Sequence, residues 1–423
     1  MKLLNSDPSE LSADGLSDAQ KLACLSARLA IDFNSTTYTG QSQEHKQVEG
    51  HMRFCLNVDD GFETMKTVFP SEPLLAEAAA RLMKRPDFKA PEALKNIMGG
   101  FSIHKGDRGE LLALLLLCLA RDAALTDDDK TTTVYDFMGK LFPKLREGNG
   151  TFHPSVIKEG TAGETFKKCF ENSHIHFTHF IKVHESAVLN RKYLWRLFLR
   201  GAAIICANSQ GGIDILIPFV HKSDTISEAN IGVIKVQVKN DPKFATTPDT
   251  GLFDAMDPYK LRVYNKGDES TPPIIRIVLA MASRNVAFVR MTRLKREEPV
   301  EFTSFDFWCA GLSKEVLGPI KEDEESIWEA LLQASRGWQD VYKADAPRGE
   351  LRRAACVGAG QHPAHWQNFT NDVPGTIPVS LKRKASGSDG RRDGDDLYRD
   401  TERVVGPDNI EDSDVAMLGL EEQ

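Results

Sequence analysis

The sequence predicts an α/β fold, with helices in its first half and strands near its middle. Apolar residues recur at helical spacing in several stretches between residues 72 and 199, and short β-rich runs begin at residue 202. A further helix and two more strands are predicted after residue 240. The order helices, three strands, helix and strands favours a mixed central sheet flanked by helices.

Four helices are predicted before the strands. The helix Gly109–Ala124 is apolar on nearly every side and must be largely buried. Its apolar run from Leu111 to Ala120 is about half the roughly 20 residues that span a bilayer, so no membrane segment is indicated. Pro143 should end or bend the helix that starts at Val134. The four ranges are Glu72–Arg85, Gly109–Ala124, Val134–Leu145 and Ser186–Leu199.

Three sequential strands follow, and the clearest turn between them is NSQGG at Asn208–Gly212. After this group the sequence predicts a helix around Phe253–Val263 and two more strands. The five predicted strands are Ala202–Ala207, Ile213–Val220, Ile231–Val238, Ile274–Ala282 and Val286–Arg290.

Composition indicates an intracellular globular protein. The chain has 423 residues, of which 41% are hydrophobic and 27% charged. Its seven cysteines are far apart and form no CxxC spacing, so neither a zinc ribbon nor a disulfide framework is indicated. The N-terminus reaches polar residues before an apolar region can build, which excludes a secretory signal.

The net charge of −8 is unevenly distributed. Residues 151–310 carry 21 Lys and Arg against 17 Asp and Glu, a balance that permits contact with DNA but is also found on ordinary surfaces. Lys382–Lys384, with Arg391 and Arg392, form basic clusters that suit either a nuclear signal or an ordinary tail.

Side-chain alternation concentrates polar groups on one face of the third strand. Lys235, Gln237 and Lys239 share that face, opposite Ile234, Val236 and Val238. Asp214 stands among apolar neighbours in the second strand, where a carboxylate is costly to bury without a partner. If the two strands pair as an antiparallel hairpin, Asp214 can lie beside Gln237 and Lys239. Such a group could hold Mg²⁺ and promote phosphodiester hydrolysis.

These residues resemble the signature of the PD-(D/E)XK, or restriction-endonuclease-like, nuclease superfamily, whose successive strands bear an Asp and a (D/E)xK tripeptide. The matching segments are GGIDILIPF at 211–219 and VIKVQVKN at 233–240, and RGELLALLLL at 108–117 is similar to the superfamily's first core helix. The resemblance implies that Asp214, Gln237 and Glu110 are ligands of Mg²⁺ or Mn²⁺. It also implies that Lys239 is the catalytic lysine.

The sequence departs from the superfamily pattern at two points. Gln237 stands where Asp or Glu is usual, a QxK variant similar to Mrr-type restriction endonucleases. Glu110 lies far upstream of the first strand, which requires a helical insertion from about Asp122 to Arg200, and Glu185 is the rival acid. The phrase RGAAIICANSQGGIDILIP also resembles fungal families related to Crinkler-type and retroelement-associated nuclease-like domains.

If the resemblance holds, the chain is predicted to consist of three parts. Residues 1–95 form a mostly helical accessory segment, and residues 96–345 form a nuclease-like α/β domain with a helical insertion at about 122–200. Residues 346–423 form a largely disordered tail, because they contain few large apolar residues to offset their ordering entropy.

Each singled-out residue also has a purely structural interpretation. Asp214 could cap the NSQGG turn, Gln237 and Lys239 could line a half-exposed strand, and Glu110 could cap its helix. His174, His176, His179 and His184 have spacings that could gather metal ligands, but the interleaved apolar residues favour an ordinary core element.

The resulting hypothesis is a Mg²⁺-dependent DNA endonuclease, or a domain descended from one, that acts inside the cell and in the nucleus. Its first alternative is a catalytically inactive member that binds DNA or protein, with its protein partners open. The second is an effector whose activity lies in the N-terminal helices.

Overall fold

The computed structural model describes residues 3–4, 15–33, 38–61, 65–98, 105–126, 131–207, 210–268, 270–292 and 300–336. All of them belong to a compact unit that spans Met1–Ala355, and the second unit spans Cys356–Gln423. The predicted tail from residue 346, its basic clusters, and the turn residues Asn208 and Ser209 lie outside the described residues.

The N-terminal part contains four helices and a hairpin. Ser17 caps the first helix in a capping box with Gln20, which satisfies backbone groups at the helix start. Pro73 opens the third helix, where a missing N–H is harmless, and this helix confirms the one predicted over 72–85. The elements are α1 (Asp18–Leu29), α2 (Tyr38–Gly50), β1 (Phe54–Val58), β2 (Met65–Val68), α3 (Pro73–Met83) and α4 (Ala90–Met98).

The helices predicted from Val134 and over 186–199 are shorter than expected, whereas the one that ends at Ala124 begins at Lys105 rather than at Gly109. The helix predicted around Phe253–Val263 is wrong beyond Ala255, where turns replace it. As expected, Pro143 ends the helix that begins at Val134, and a 3-10 turn over Pro143–Leu145 follows it. The helix predicted over 186–199 is a 3-10 turn followed by a helix that Asn190 caps. The helices are α5 (Lys105–Ala124), α6 (Val134–Leu141), α7 (Phe166–Phe170), α8 (Arg191–Leu199), α9 (Thr250–Ala255) and α10 (Glu325–Arg336).

The central sheet is mixed and flanked by helices, as predicted. Its path runs β10-β11-β9-β8-β7-β4-β3, and β6 pairs with β7 while β5 pairs with β6. The β6–β7 and β7–β8 pairs are antiparallel, whereas β8, β9 and β11 run parallel. The strands are β3 (Thr132–Thr133), β4 (His174–Ile175), β5 (His179–Lys182), β6 (Ala202–Ile205), β7 (Ile215–Val220), β8 (Ile231–Lys239), β9 (Ile274–Ala280), β10 (Ala287–Arg290) and β11 (Ser304–Ala310).

The segment predicted as a helical insertion, about 122–200, needs correction. It contains α6, α7 and α8, but it also supplies β3, β4 and β5 to the sheet. Ile175, Phe177 and Phe180 are buried, so the apolar residues between the histidines anchor these short strands to the core. Because the strands are only two to four residues long, their alternation is too short to be distinguished from a helical period.

The two faces of the sheet are covered by different helices. One face, with Ile215, Ile217 and Val236, joins a single apolar cluster with residues of α1, α3, α4, α5 and α10. The other face packs against α8 in one cluster and against α9 in another. The predicted accessory segment therefore shares its core with the sheet rather than enclosing a core of its own.

Helix α5 is buried as predicted, and Leu112–Cys118 are at most 1% exposed. None of the described helices is long and apolar enough to cross a membrane.

Candidate functional site

Asp214 lies immediately before β7, between two neighbouring strands. Its N–H donates to the Val236 carbonyl of β8 (3.0 Å), and its carbonyl accepts from the Cys206 N–H after β6 (2.8 Å). The paired register of β7 and β8 begins at Ile215 with Val236, so Asp214 lies in the bend just before β7 and bonds to β8 one residue from Gln237. The predicted antiparallel hairpin is thus confirmed, and Asp214 lies beside the part of β8 that bears Gln237.

The Asp214 carboxylate stabilises the hairpin rather than capping the turn before it. Its Oδ2 accepts the Val238 N–H at 2.6 Å, and so replaces a backbone acceptor in the β7–β8 ladder. Burial raises the pKa of Asp214, while the Val238 N–H and the Lys239 charge lower it. Lys239 is thus within electrostatic range of the Asp214 carboxylate, and no ion pair joins the two side chains.

Gln237 has a buried polar atom that the surrounding protein does not satisfy. The residue is 6% exposed, and its Oε1 has no hydrogen-bond partner among the described residues. In the parallel β8–β9 register it lies beside Val278, which belongs to the α9 cluster with Phe253 and Met256. An unsatisfied acceptor of this kind costs about 1 to 3 kcal/mol, so it requires a reason.

Lys239 lies two residues further along β8 and is half-buried. Strand alternation places it on the same face as Gln237, as predicted. Its Nζ lies 5.8 Å from the centre of the Phe244 ring, within the range of a cation–π contact. Asp214, Gln237 and Lys239 therefore group at the end of the β7–β8 hairpin.

Glu110 approaches this end of the sheet from the other face, because α5 packs on the side that carries Ile215 and Val236. A Cβ at Gly109 would lie 3.2 Å from the Asn240 side chain, so this part of α5 meets the end of β8. Glu110 lines a small cavity with Asp32, Lys182 and Ile205. Helix α5, which bears Glu110, therefore does not cover the sheet face on which Gln237 lies.

Of the two rival acids, Glu110 shares Cys206 as an electrostatic neighbour with Asp214. Burial raises the pKa of Cys206, and the charges of Asp214 and Glu110 raise it further. Glu185 is exposed before the 3-10 turn at Ser186–Val188, and its side chain does not cap that turn.

The same sheet face holds charged residues that the sequence interpretation did not assign. Lys235 is fully buried, and its Nζ donates to the Met256 carbonyl at 3.3 Å. Burial, and then the charge of Arg276, lower the pKa of Lys235 well below its usual range. The sequence did indicate that Lys235 lies on this face, because strand alternation places it on the same side of β8 as Gln237.

Arg276 and Asp306 form a buried pair next to Lys235. Two guanidinium nitrogens of Arg276 donate to the Asp306 carboxylate at 2.7 and 2.6 Å, and a third donates to the Phe253 carbonyl of α9 at 2.7 Å. Both side chains are fully buried, so the pair fixes α9 over this face. A lone charge in each of two apolar strands, IIRIVLAMA and SFDFWCA, was the sequence signal for it.

The histidines of HIHFTHFIKVHE do not form a metal site. Among the described residues no three His, Cys, Asp or Glu side chains are grouped so that they could hold a metal ion. His179 is instead a buried structural residue whose ring nitrogens lie 2.9 Å from Thr178 Oγ1 and 2.8 Å from Ser71 Oγ. The six cysteines within the described ranges are free thiols, as the sequence predicted.

The fold and the hairpin define an α/β protein with a mixed sheet and a polar site where two antiparallel strands end. Residues 13–254, more than half of the chain, match the model of DUF8736, a domain of unknown function, and the chain belongs to this family. The match includes Glu110, Asp214, Gln237 and Lys239. No curated protein and no solved structure matches the chain.

Proposed function

We propose that this protein is a Mg²⁺-dependent DNA endonuclease, or a domain derived from one, with a PD-(D/E)XK-type core. One observation carries the proposal: Asp214 bonds to the backbone of Val236 and Val238, which flank Gln237, within electrostatic range of Lys239, and the Gln237 amide oxygen is buried without a partner among the described residues. Two strands that bear an acid and a QxK tripeptide on neighbouring positions resemble the superfamily arrangement. The basic clusters beyond residue 382 would direct the protein to the nucleus.

The donor set fits a hard divalent cation. Asp214 and Gln237 would bind Mg²⁺ or Mn²⁺ through oxygen, and the bound cation would acidify a water and neutralise phosphate charge. The unpaired Gln237 Oε1 supports this fit, because a cation would satisfy it. Glu110 would complete the set from the other side of the sheet end.

Lys239 has a separate role in the proposed reaction. Its ammonium is close enough to lower the pKa of Asp214 but is not held in an ion pair with it. It would stabilise charge on the scissile phosphate and orient the attacking water. The Phe244 ring would limit the positions that the ammonium samples.

A catalytically inactive module that binds DNA or protein is the alternative. It is favoured by the Asp214 Oδ2 bond to Val238 and by the packing of the Glu110 helix on the opposite face. With Gln237 in place of an acid, the donor set also has one negative charge fewer.

Purified protein incubated with supercoiled DNA tests the proposal. With Mg²⁺ or Mn²⁺ it should nick the DNA, and a chelator should stop the reaction. Asp214→Ala should abolish nicking, and Lys239→Ala should reduce it by at least about tenfold while largely preserving metal binding. Asp224→Ala and Lys266→Ala replace exposed residues of the same types and serve as matched controls.

Gln237→Glu separates the two candidates. The substitution restores the usual charge, so it should tighten Mn²⁺ binding, measured by calorimetry, and preserve or raise the nicking rate. If neither the natural protein nor Gln237→Glu nicks DNA, the enzyme proposal is overturned and the binding module remains. Binding of Mn²⁺ that does not depend on Asp214 would overturn the metal site itself.

A further inference from the structure

A groove of about 1020 Å³ is lined by no residue of the β7–β8 hairpin, and it shares Asp32 and Lys182 with the small cavity at Glu110. It is bounded by the end of α1, by α2, by the β1–β2 hairpin and by β5. Its polar lining includes Asp32, Glu44, Lys66 and Lys182, and its apolar lining includes Phe33 and Phe180. The nuclease hypothesis assigns this groove no role.

Two strands contribute consecutive residues to the groove. Met65–Val68 of β2 and Phe180–Lys182 of β5 all line it, although neighbouring side chains on a strand point to opposite faces. A strand that lines a groove with successive residues presents its main-chain edge to that groove. Among the described strands, β5 pairs only with β6 and β2 only with β1, so each has an edge without a strand partner. Such edges accept an added strand.

The β1–β2 hairpin also exposes apolar side chains. Phe54 is 52% exposed, Leu56 is 60% exposed and Val58 is 41% exposed, and Leu56 lines the groove. Three large apolar side chains on one exposed strand are typical of a surface that contacts another molecule.

Glu44 gives the groove its chemical preference. The residue is 3% exposed and lines the groove; its Oε1 accepts from the Thr67 hydroxyl at 2.7 Å. Its Oε2 is buried and has no hydrogen-bond partner among the described residues. One oxygen of this buried carboxylate therefore has unfilled hydrogen-bonding capacity at the wall of the groove.

Two cations near the groove, Arg53 and Lys182, already have partners. The Arg53 guanidinium donates to Thr67 Oγ1 (2.7 Å) and to the Ile31 carbonyl (2.9 Å), and it stacks over the Phe33 ring. Lys182 Nζ lies 2.9 Å from Asp32 Oδ2. A cationic donor from a bound molecule would complete the hydrogen bonding of Glu44 Oε2.

We propose that this groove binds an extended peptide segment of a partner protein, and that a Lys or Arg side chain of that segment donates to Glu44 Oε2. The free edges of β2 and β5 bind its backbone, and the apolar lining contacts its alternate side chains. Asp32, Glu44 and Asp59 outnumber Lys66 and Lys182 in the groove, which opposes an anionic ligand such as DNA. The proposal does not depend on nuclease activity.

Selection of random displayed peptides, about eight residues long like an ordinary strand, tests this site on the full-length protein. Peptides retained by the natural protein should be enriched in Lys or Arg flanked by apolar residues at alternate positions. Glu44→Gln keeps the size of the side chain and removes its charge, so it should weaken binding of a selected peptide by at least about tenfold. Glu49→Gln, at an exposed position of the same helix, should not.

Changes in the peptide test the proposal independently of protein folding. Replacing its basic residue by Met, or N-methylating alternate backbone amides, should each weaken binding by about tenfold or more, measured by fluorescence anisotropy. Selected peptides without basic enrichment, or affinities unchanged by Glu44→Gln and by N-methylation, would overturn the site. Butylamine that binds at Glu44 as tightly as the peptide would overturn the peptide partner and leave a small-cation site.

Discussion

At the scale of single residues, Gln237 makes the fold less stable than an apolar side chain of similar volume would. Its buried amide oxygen has no partner among the described residues, and its neighbour on β9, Val278, belongs to the apolar α9 cluster. An apolar side chain of similar volume would avoid the desolvation cost. Functional sites typically contain residues whose replacement would increase the free energy of unfolding.

Gln237→Met should therefore leave the free energy of unfolding unchanged or raise it by about 1 kcal/mol, because it removes the unsatisfied oxygen at nearly constant volume. The same substitution should weaken Mn²⁺ binding by about tenfold or more. Urea denaturation and calorimetry provide the two measurements. A loss of more than about 2 kcal/mol would mean that the amide makes a stabilising contact and is not held for a cation.

His179 makes the fold sensitive to acid. Burial, and then the charges of Arg200 and Arg28, lower the pKa of His179 from 6.5 to about 4. Above pH 6.5 the imidazole is neutral in both states and the fold has its full stability. As the pH falls from 6.5 towards 4, the unfolded chain takes up a proton that the folded chain does not. Over this range the free energy of unfolding falls by about 1.4 kcal/mol for each unit by which the pH is lowered.

His179→Gln cannot take up that proton, so its free energy of unfolding should fall less on acidification. Between pH 7 and pH 5 the loss should be about 2 kcal/mol smaller than in the natural protein. Urea titrations at several pH values measure the difference, and His153→Gln at an exposed position serves as the control. Parallel losses in the natural protein and His179→Gln would contradict the lowered pKa.

At the scale of elements, Gly212 fixes the distance between α9 and the start of β7. Its φ is +85°, and a Cβ there would lie 2.3 Å from the Ala255 carbonyl oxygen at the end of α9. Both the backbone conformation and the close approach require glycine. The position of α9 over Gln237 therefore depends on this contact.

Gly212→Ala should destabilise the fold by at least about 1 to 2 kcal/mol and weaken any cation binding at Asp214, because α9 must move away. Gly211→Ala is the matched control, since its Cβ would meet nothing within 4 Å. Thermal unfolding and Mn²⁺ calorimetry test both variants. Equal stability of the two would show that α9 adjusts without strain.

Elements with a long, regular pattern could be predicted from the sequence. The hairpin of β7 and β8 has enough alternation to place Gln237 and Lys239 on one face, and α5 is apolar over several turns. An all-apolar helix does not indicate which face of a sheet it covers, so the side from which Glu110 approaches could not be predicted. The contact of Gly212 with Ala255 and the groove at Glu44 depend on residues distant in sequence, which local periodicity does not relate.

At the scale of the whole molecule, the N-terminal helices and the sheet depend on each other. Arg28 of α1 is fully buried, and two of its nitrogens donate to Asp122 of α5 at 2.5 and 3.0 Å. A third donates to the Thr178 carbonyl, next to β5, at 3.0 Å. Asp122 also pairs with Arg121 at 3.0 Å, so loss of Arg28 removes one of the two ion pairs of this buried carboxylate.

The chain from residue 96 to residue 336 should therefore fail to fold alone, although it contains all the candidate site residues. Without α1, α3 and the start of α4, the apolar surface of α5 would be exposed and Asp122 would lose Arg28. The chain from residue 1 to residue 336 should fold, because the described apolar clusters lie within it. Circular dichroism and urea denaturation should show one cooperative transition for the longer chain and none for the shorter. Cooperative unfolding of the 96–336 chain would contradict the shared core and make residues 1–95 a separable accessory segment.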